Sequence, residues 1–195
     1  SIEPILEVQS QREFLTHANW HEYPYKPITA FNIARTEKNV YIRYSVQGNS
    51  LKASYEMDNS SVHKDSCVEF FMKKEGDSHY MNFEFNCIGT CDAARRTSRD
   101  IKTSLSQEEY KSIIRLPSVR RRAFEEIKGI HTWNLIVVIP LKLMGLDPSN
   151  LPEKILGNFY KCADETMNPH FVSWSPIDLP EPNFHCPEFF GEIYL

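Results

Sequence analysis

At 195 residues the chain has the size of one ordinary domain and can bury a substantial apolar core without metals or disulfides. Its hydrophobic share of 41% and charged share of 25% lie near the globular average, which excludes a disordered, fibrous or membrane-spanning composition. A formal net charge of -4 leaves no overall basic footprint for nucleic acid, and Arg120, Arg121 and Arg122, like Arg95, Arg96 and Arg99 earlier, read as solvated edges or turns.

Along the chain the dominant hydrophobic period is two, the mark of antiparallel strands rather than helices. A strand is expected at Ile28 to Ala34. In the next, Val40, Ile42, Tyr44 and Val46 alternate with Tyr41, Arg43 and Ser45 after a polar Thr36-Glu37-Lys38-Asn39 turn. Cys67 to Lys74 places Val68, Phe70 and Met72 on one face, and the run from Tyr80 does the same with Met81, Phe83, Phe85 and Cys87. Glu75-Gly76-Asp77-Ser78 between them makes the pair a β-hairpin. Ser106 to Glu109 resembles a capping box leading into Tyr110, a short helical connection, and Leu141 to Leu146 forms one turn after Pro140. Further strands are expected at His131 to Ile139, Ile155 to Cys162, Phe171 to Ser175 and Phe190 to Leu195. The sum is about eight short strands, an all-β antiparallel β-sandwich over residues 1–195 as a single domain. Twelve prolines, many in the last third, mark long irregular loops there, where a sandwich carries function.

The longest apolar run, Leu135 to Ile139, stops at Pro140, far short of a membrane span. Five cysteines, Cys67, Cys87, Cys91, Cys162 and Cys186, form no zinc-type doublets, so the expectation is reduced thiols or one bridge with leftovers, and no metal site. The start at Ser1 leaves room for a removed signal peptide.

If the hairpin closes symmetrically about Gly76 and Asp77, Glu69 faces Glu84, Phe71 faces Asn82 and Cys67 faces Asn86. Glu69, Asn82, Glu84 and Asn86 then share the face opposite the apolar set. A plain solvated face would carry Lys, Thr and Ser as well. Short planar carboxylates and amides beside Phe71 instead suit the hydroxyls of a polar ligand. The two facing glutamates also admit a glycoside-cleaving alternative, for which a carboxyl pair about 5 Å apart is required. No Ser-His-Asp signature, G-x-S-x-G, phosphate loop or H-E-x-x-H accompanies them, so a catalytic role is the minority reading.

Asp65 to Phe71, Tyr80 to Asn86 with Gly89-Thr90, Gly157 to Lys161, Ser173-Trp174-Ser175-Pro176 and the ending Phe184 to Leu195 together resemble the family 9 carbohydrate-binding modules and their relatives. The resemblance runs across nearly the whole chain. It implies a DOMON-like β-sandwich that binds sugar without cleaving it, as xylanase-attached members clasp chain ends between aromatic rings. Carried over, Glu69 matches the acidic hydrogen-bonding position, Asn158 the amide position and Trp174 a stacking aromatic. His63 stands where a second stacking aromatic is expected, which departs from the pattern, and Lys161 takes a place often held by Arg. Asn82, Glu84 and Arg95, or its neighbour Arg96, complete the expected site. Trp133 reads as core, and Trp20 as lid or packing.

The expected partner is a mono- or oligosaccharide; the resemblance implies a secreted or periplasmic setting, while the odd cysteine count also suits the cytoplasm. Relatives in the same superfamily bind haem, for which Met57, Met81, His63 and His170 are the available ligands. No cofactor is expected, although Asp58, Asn59, Asp65 and Asp164 offer oxygen ligands for a structural calcium.

Overall fold

The computed structural model describes residues 10–195, so the first nine residues of the expected domain lie outside the described residues. Two antiparallel sheets form a sandwich. The first contains β1 (Arg12–Phe14), β2 (Ile28–Arg35), β3 (Asn39–Ala53), β8 (Ile114–Pro117) and β9 (Phe124–Pro140), in the order β1-β2-β3-β9-β8. The second runs β11-β10-β4-β5-β6-β7, from β4 (Cys67–Lys73), β5 (Tyr80–Asn86), β6 (Cys91–Arg96), β7 (Lys102–Ser104), β10 (Lys154–Cys162) and β11 (Phe171–Ser173). The last strand, β12 (Gly191–Tyr194), pairs with the first half of β10 on the edge whose other half pairs with β11.

The β4–β5 hairpin has the register expected from its turn: Glu69 opposes Glu84, Phe71 opposes Asn82 and Cys67 opposes Asn86. Gly76 sits at φ 77 in that turn, a left-handed conformation that glycine adopts without a Cβ penalty. The helix α1 (Gln107–Ser112) starts at the capping box read from the sequence, with Ser106 accepting from the Glu109 N–H and Glu109 accepting from the Ser106 N–H.

Between the sheets, period-two alternation brings Phe31, Ile42, Tyr44, Leu135 and Val137 from one side against Val68, Phe70, Met72, Phe83, Phe85 and Phe159 from the other. Phe31 and Phe159 stack across the gap at 3.6 Å and 17°. Full burial of each such side chain contributes about 1.5–3 kcal/mol. Trp133 belongs to this core.

A second cluster lies on the outer face of β10, β4 and β5. Phe71, Tyr80, Tyr160 and Cys162 are covered there by Trp20, Ile177, Phe184 and Cys186 from the segments around β1 and after β11. The Pro-rich C-terminal third is therefore a folded cap over one end of this face, and it leaves the neighbouring end open as a cleft. Trp20 is packing: its Nε1–H donates to the Leu179 carbonyl at 2.9 Å. All five cysteines are free and buried.

Candidate functional site

The floor of the cleft is one row of side chains across the second sheet. Tyr160 on β10 pairs with Glu69 on β4, Glu69 with Glu84 on β5, and Glu84 with Asp92 on β6. Three carboxyl groups thus stand side by side on adjacent strands, pointing away from the core because Phe70, Phe83 and Phe85 take the opposite parity. The cleft above them has a volume of about 430 Å³.

One wall carries His63, set by the 3-10 turn Val62–Lys64, with its Nδ1 3.9 Å from Glu84 Oε1 and its Nε2 3.9 Å from Asp164 Oδ2. The other wall is aromatic. Phe171 and Phe184 line it with Pro182, Asn183 and His185. Phe184 stacks on Tyr160 at 4.1 Å, and Trp20 braces Phe171 edge-on from behind at 6.3 Å. The His185 ring is fixed by a 2.8 Å hydrogen bond between Nδ1 and the Tyr80 hydroxyl. Arg99, Asp100 and Lys102 form the rim.

A buried polar chain ties the floor together. Arg96 Nε donates to Asn82 Oδ1 at 2.6 Å, and Asn82 Nδ2 donates to Glu84 Oε2 at 2.7 Å. Arg96 Nη1 also donates to the Arg99 carbonyl at 2.5 Å, which fixes the guanidinium at the edge of the cleft. Glu69 Oε1 accepts from the Cys162 thiol at 3.2 Å and from the Cys67 thiol at 3.7 Å.

Burial dominates the electrostatics. It pushes Glu69 well above the ordinary carboxylate range, with Cys162 and then Glu84 adding to the shift. Glu84 is raised to about 7, by burial first and by Asp92 second, against the pull of Arg96 and hydrogen bonds from Asn82 and Glu69. Burial raises Asp92 and Asp164 as well. Burial thus favours the neutral form of these carboxyl groups, a form that can donate as well as accept. His185 is held neutral, its pKa lowered to about 3 by burial and then by the charge of Arg96.

Of the residues expected from the sequence, the structure brings Glu69, Glu84 and His63 to the cleft, with Asn82 directly behind Glu84. The other four sit elsewhere. Trp174 faces the inter-sheet core, edge-on to Phe31 at 6.1 Å and to Phe159 at 5.8 Å, because it lies two residues beyond Val172 and shares its parity. Asn158 is fully buried and spends its amide on the chain: Oδ1 accepts from the Phe159 and Ser175 N–H groups and Nδ2 donates to the Ser175 carbonyl. Lys161 has the opposite parity to Glu69; its Nζ donates to the Cys162 carbonyl at 2.9 Å and lies 2.8 Å from His170 Nε2. Arg95 is exposed and opposes Met81, whereas Arg96, one residue on, turns into the cleft.

The haem and calcium donor sets are likewise dispersed. Met57 is exposed, Met81 is in the core, and His170 is bonded to Lys161 and Asn168, away from His63. Asp58 is gripped by both terminal nitrogens of Arg115, at 2.6 and 3.0 Å. Asp65 accepts from the Ser54 and Tyr55 N–H groups and from Asn86. Both carboxylates thus serve the chain itself.

Asp92, Phe171, Phe184 and His185 were not expected at a site. For Asp92 and Arg96 the signal was present: Cys91 and Ala93 are apolar at alternate positions, so Asp92 and Arg96 share the opposite face. Phe171 opens β11 opposite Cys162, whereas Phe184 and His185 come from an irregular loop with no local periodicity.

The model of carbohydrate-binding family 9 matches residues 4–195. Among solved structures, a protein of Bacteroides uniformis ATCC 8492, provisionally described as carbohydrate-binding, is 38% identical, with a TM-score of 0.93 over 99% of this chain and 90% of that one. A family 9 carbohydrate-binding module from Caldicellulosiruptor kristjanssonii in complex with glucose is similar in fold at 13% identity and a TM-score of 0.60, covering 97% of this chain and 85% of that one. The same organism's module in complex with cellotriose gives 12% identity and a TM-score of 0.62, covering 100% and 86%. No curated protein matches at a significant level.

Proposed function

The chain belongs to carbohydrate-binding family 9, and from that premise we propose that it binds a mono- or oligosaccharide, without cleaving it, in the cleft above Glu69, Glu84 and Asp92. The observation that carries the proposal is the pairing of a half-buried aromatic wall, Phe171 and His185, with a floor of carboxyl groups and a fixed guanidinium. A pyranose has an apolar C–H face that suits such a wall, and equatorial hydroxyls that need both donors and acceptors. The floor provides both: burial favours the proton-bearing form of Glu69 and Glu84, which can donate as well as accept, and Arg96 adds fixed N–H donors. The solved family 9 modules bound to glucose and cellotriose support sugar as the ligand class.

A non-catalytic role fits the same geometry. Glu69 and Glu84 oppose each other on adjacent strands of one sheet, so both stand on the floor of the cleft rather than on its two facing walls. Calorimetric titration with glucose, cellotriose and a panel of other mono- and oligosaccharides tests the proposal. Saturable one-to-one binding with no release of reducing sugar is expected. Absence of binding to every sugar at millimolar concentration contradicts the binding role, and release of reducing sugar contradicts the non-catalytic one.

A further inference from the structure

Beneath the sugar-facing floor, three side chains converge in a way that hydroxyl recognition does not require. Cys67 on β4 and Cys162 on β10 are directly opposed across the strand pair. Both thiols point at the same oxygen of Glu69, Oε1, at 3.7 and 3.2 Å. The three donor atoms lie within 4.8 Å of one another. We propose that Cys67 Sγ, Cys162 Sγ and Glu69 Oε1 form a site for a thiophilic divalent cation of the zinc class.

The dimensions fit. In a tetrahedral zinc site with zinc–sulfur bonds of about 2.3 Å and zinc–oxygen bonds of about 2.0 Å, ligand sulfur and oxygen atoms stand about 3.5 Å apart. The two observed sulfur–oxygen separations bracket that value. Two sulfurs and one oxygen favour zinc over calcium or magnesium, which take oxygen ligands throughout. The cation has a way in, because Glu69 and Cys162 both line the cleft. A fourth coordination position then faces the cleft, for water or another oxygen ligand.

The set also has outer support. Behind the set, the buried Lys161 Nζ donates to the Cys162 carbonyl at 2.9 Å and so helps to fix the backbone that carries this ligand. Strand alternation makes the arrangement rigid. Cys67 and Glu69 are consecutive residues of one face of β4, and Cys162 is held opposite Cys67 by the β10 register. Binding releases the thiol protons and changes no oxidation state, so no redox partner is needed.

The test uses the full, reduced chain in the absence of sugar, so that its outcome does not depend on the carbohydrate reading. Co2+ is titrated in, and sulfur-to-cobalt charge-transfer absorption is followed. The band is expected to saturate at one equivalent, to be bleached by one equivalent of Zn2+, and to vanish in both Cys67→Ser and Cys162→Ser while surviving in Cys87→Ser and Cys186→Ser. Glu69→Gln is expected to weaken binding by at least about ten-fold while keeping the band. A missing band in the wild-type chain, or one that persists without Cys67 and Cys162, overturns the proposal. Because the serine variants remove buried groups, X-ray absorption of the zinc-loaded wild-type chain provides a second readout that needs no variant. Two sulfur ligands at about 2.3 Å are expected, and any other sulfur count refutes the site.

Discussion

Arg95 and Arg96 are neighbours in the chain, yet strand parity sends one to solvent and the other to the cleft, where it is 6% exposed and bonded to Asn82. Replacing Arg96 by Ala removes a fixed donor and leaves the Asn82 oxygen unpaired. Sugar affinity should fall by at least about ten-fold, or about 1.4 kcal/mol, by calorimetry. Arg95→Ala should leave it unchanged, and equal effects of the two contradict the placement. His185 gives a pH signature. Its folded pKa of about 3 lies below the ordinary histidine value of 6.5, so the unfolded chain takes up this proton first as pH falls. The stability that the neutral ring contributes is complete above pH 6.5 and declines by about 1.4 kcal/mol per pH unit below it, until pH approaches the folded value. Between pH 7 and pH 5, His185→Gln should therefore lose less stability than the wild type, by roughly 2 kcal/mol in denaturant melts. An identical loss in both proteins would show that His185 is not held neutral. At this scale local alternation put Glu69 and Glu84 on one face, and the family resemblance added His63. Trp174, expected at the site, packs on the core instead, since a Pro-rich context says nothing about which way a ring just past β11 turns.

Trp174 follows β11 as part of the core wall rather than as a binding surface. A Cβ added at Gly191 on β12 would come within 2.7 Å of its ring, so the indole also fixes how closely β12 can approach. Trp174→Ala should cost about 2–4 kcal/mol of stability, measured by thermal or denaturant unfolding, with sugar affinity retained where the variant is folded. Loss of affinity without loss of stability would reverse that assignment. Gly157 plays a similar part on β10. A methyl group there would meet the Phe71 carbonyl oxygen at 2.7 Å and Ile193 at 2.9 Å, both across strand pairs. Gly157→Ala should destabilise by about 1–3 kcal/mol, because backbone rather than a flexible side chain would have to yield. The hairpin register was legible in the sequence because a tight Gly-containing turn fixes it. The strands β1, β6, β7 and β8 were not. β1 and β7 are three residues long, β8 is four, and in β6 the alternation of Cys91, Asp92 and Ala93 is broken by Ala94 and Arg95.

At the scale of the molecule, two sheets provide a rigid frame, and the C-terminal third folds over the outer face of one of them. That cap converts a flat row of carboxyl groups into a cleft with an aromatic wall. The sandwich was legible because its core follows period two in β3, β4, β5, β9 and β10. The cap was not, because loops that bury Trp20, Phe184 and Ile177 obey no period and are specified by contacts across distant parts of the chain. The most direct test of the account is a crystal structure of the chain with the sugar of the panel that it binds most tightly. A sugar ring lying against the Phe171 and His185 wall, with its hydroxyls bonded to Glu84, Asp92 and Arg96, is predicted. Sugar bound on another face, or a cleft that stays empty of sugar at saturating concentration, would contradict it.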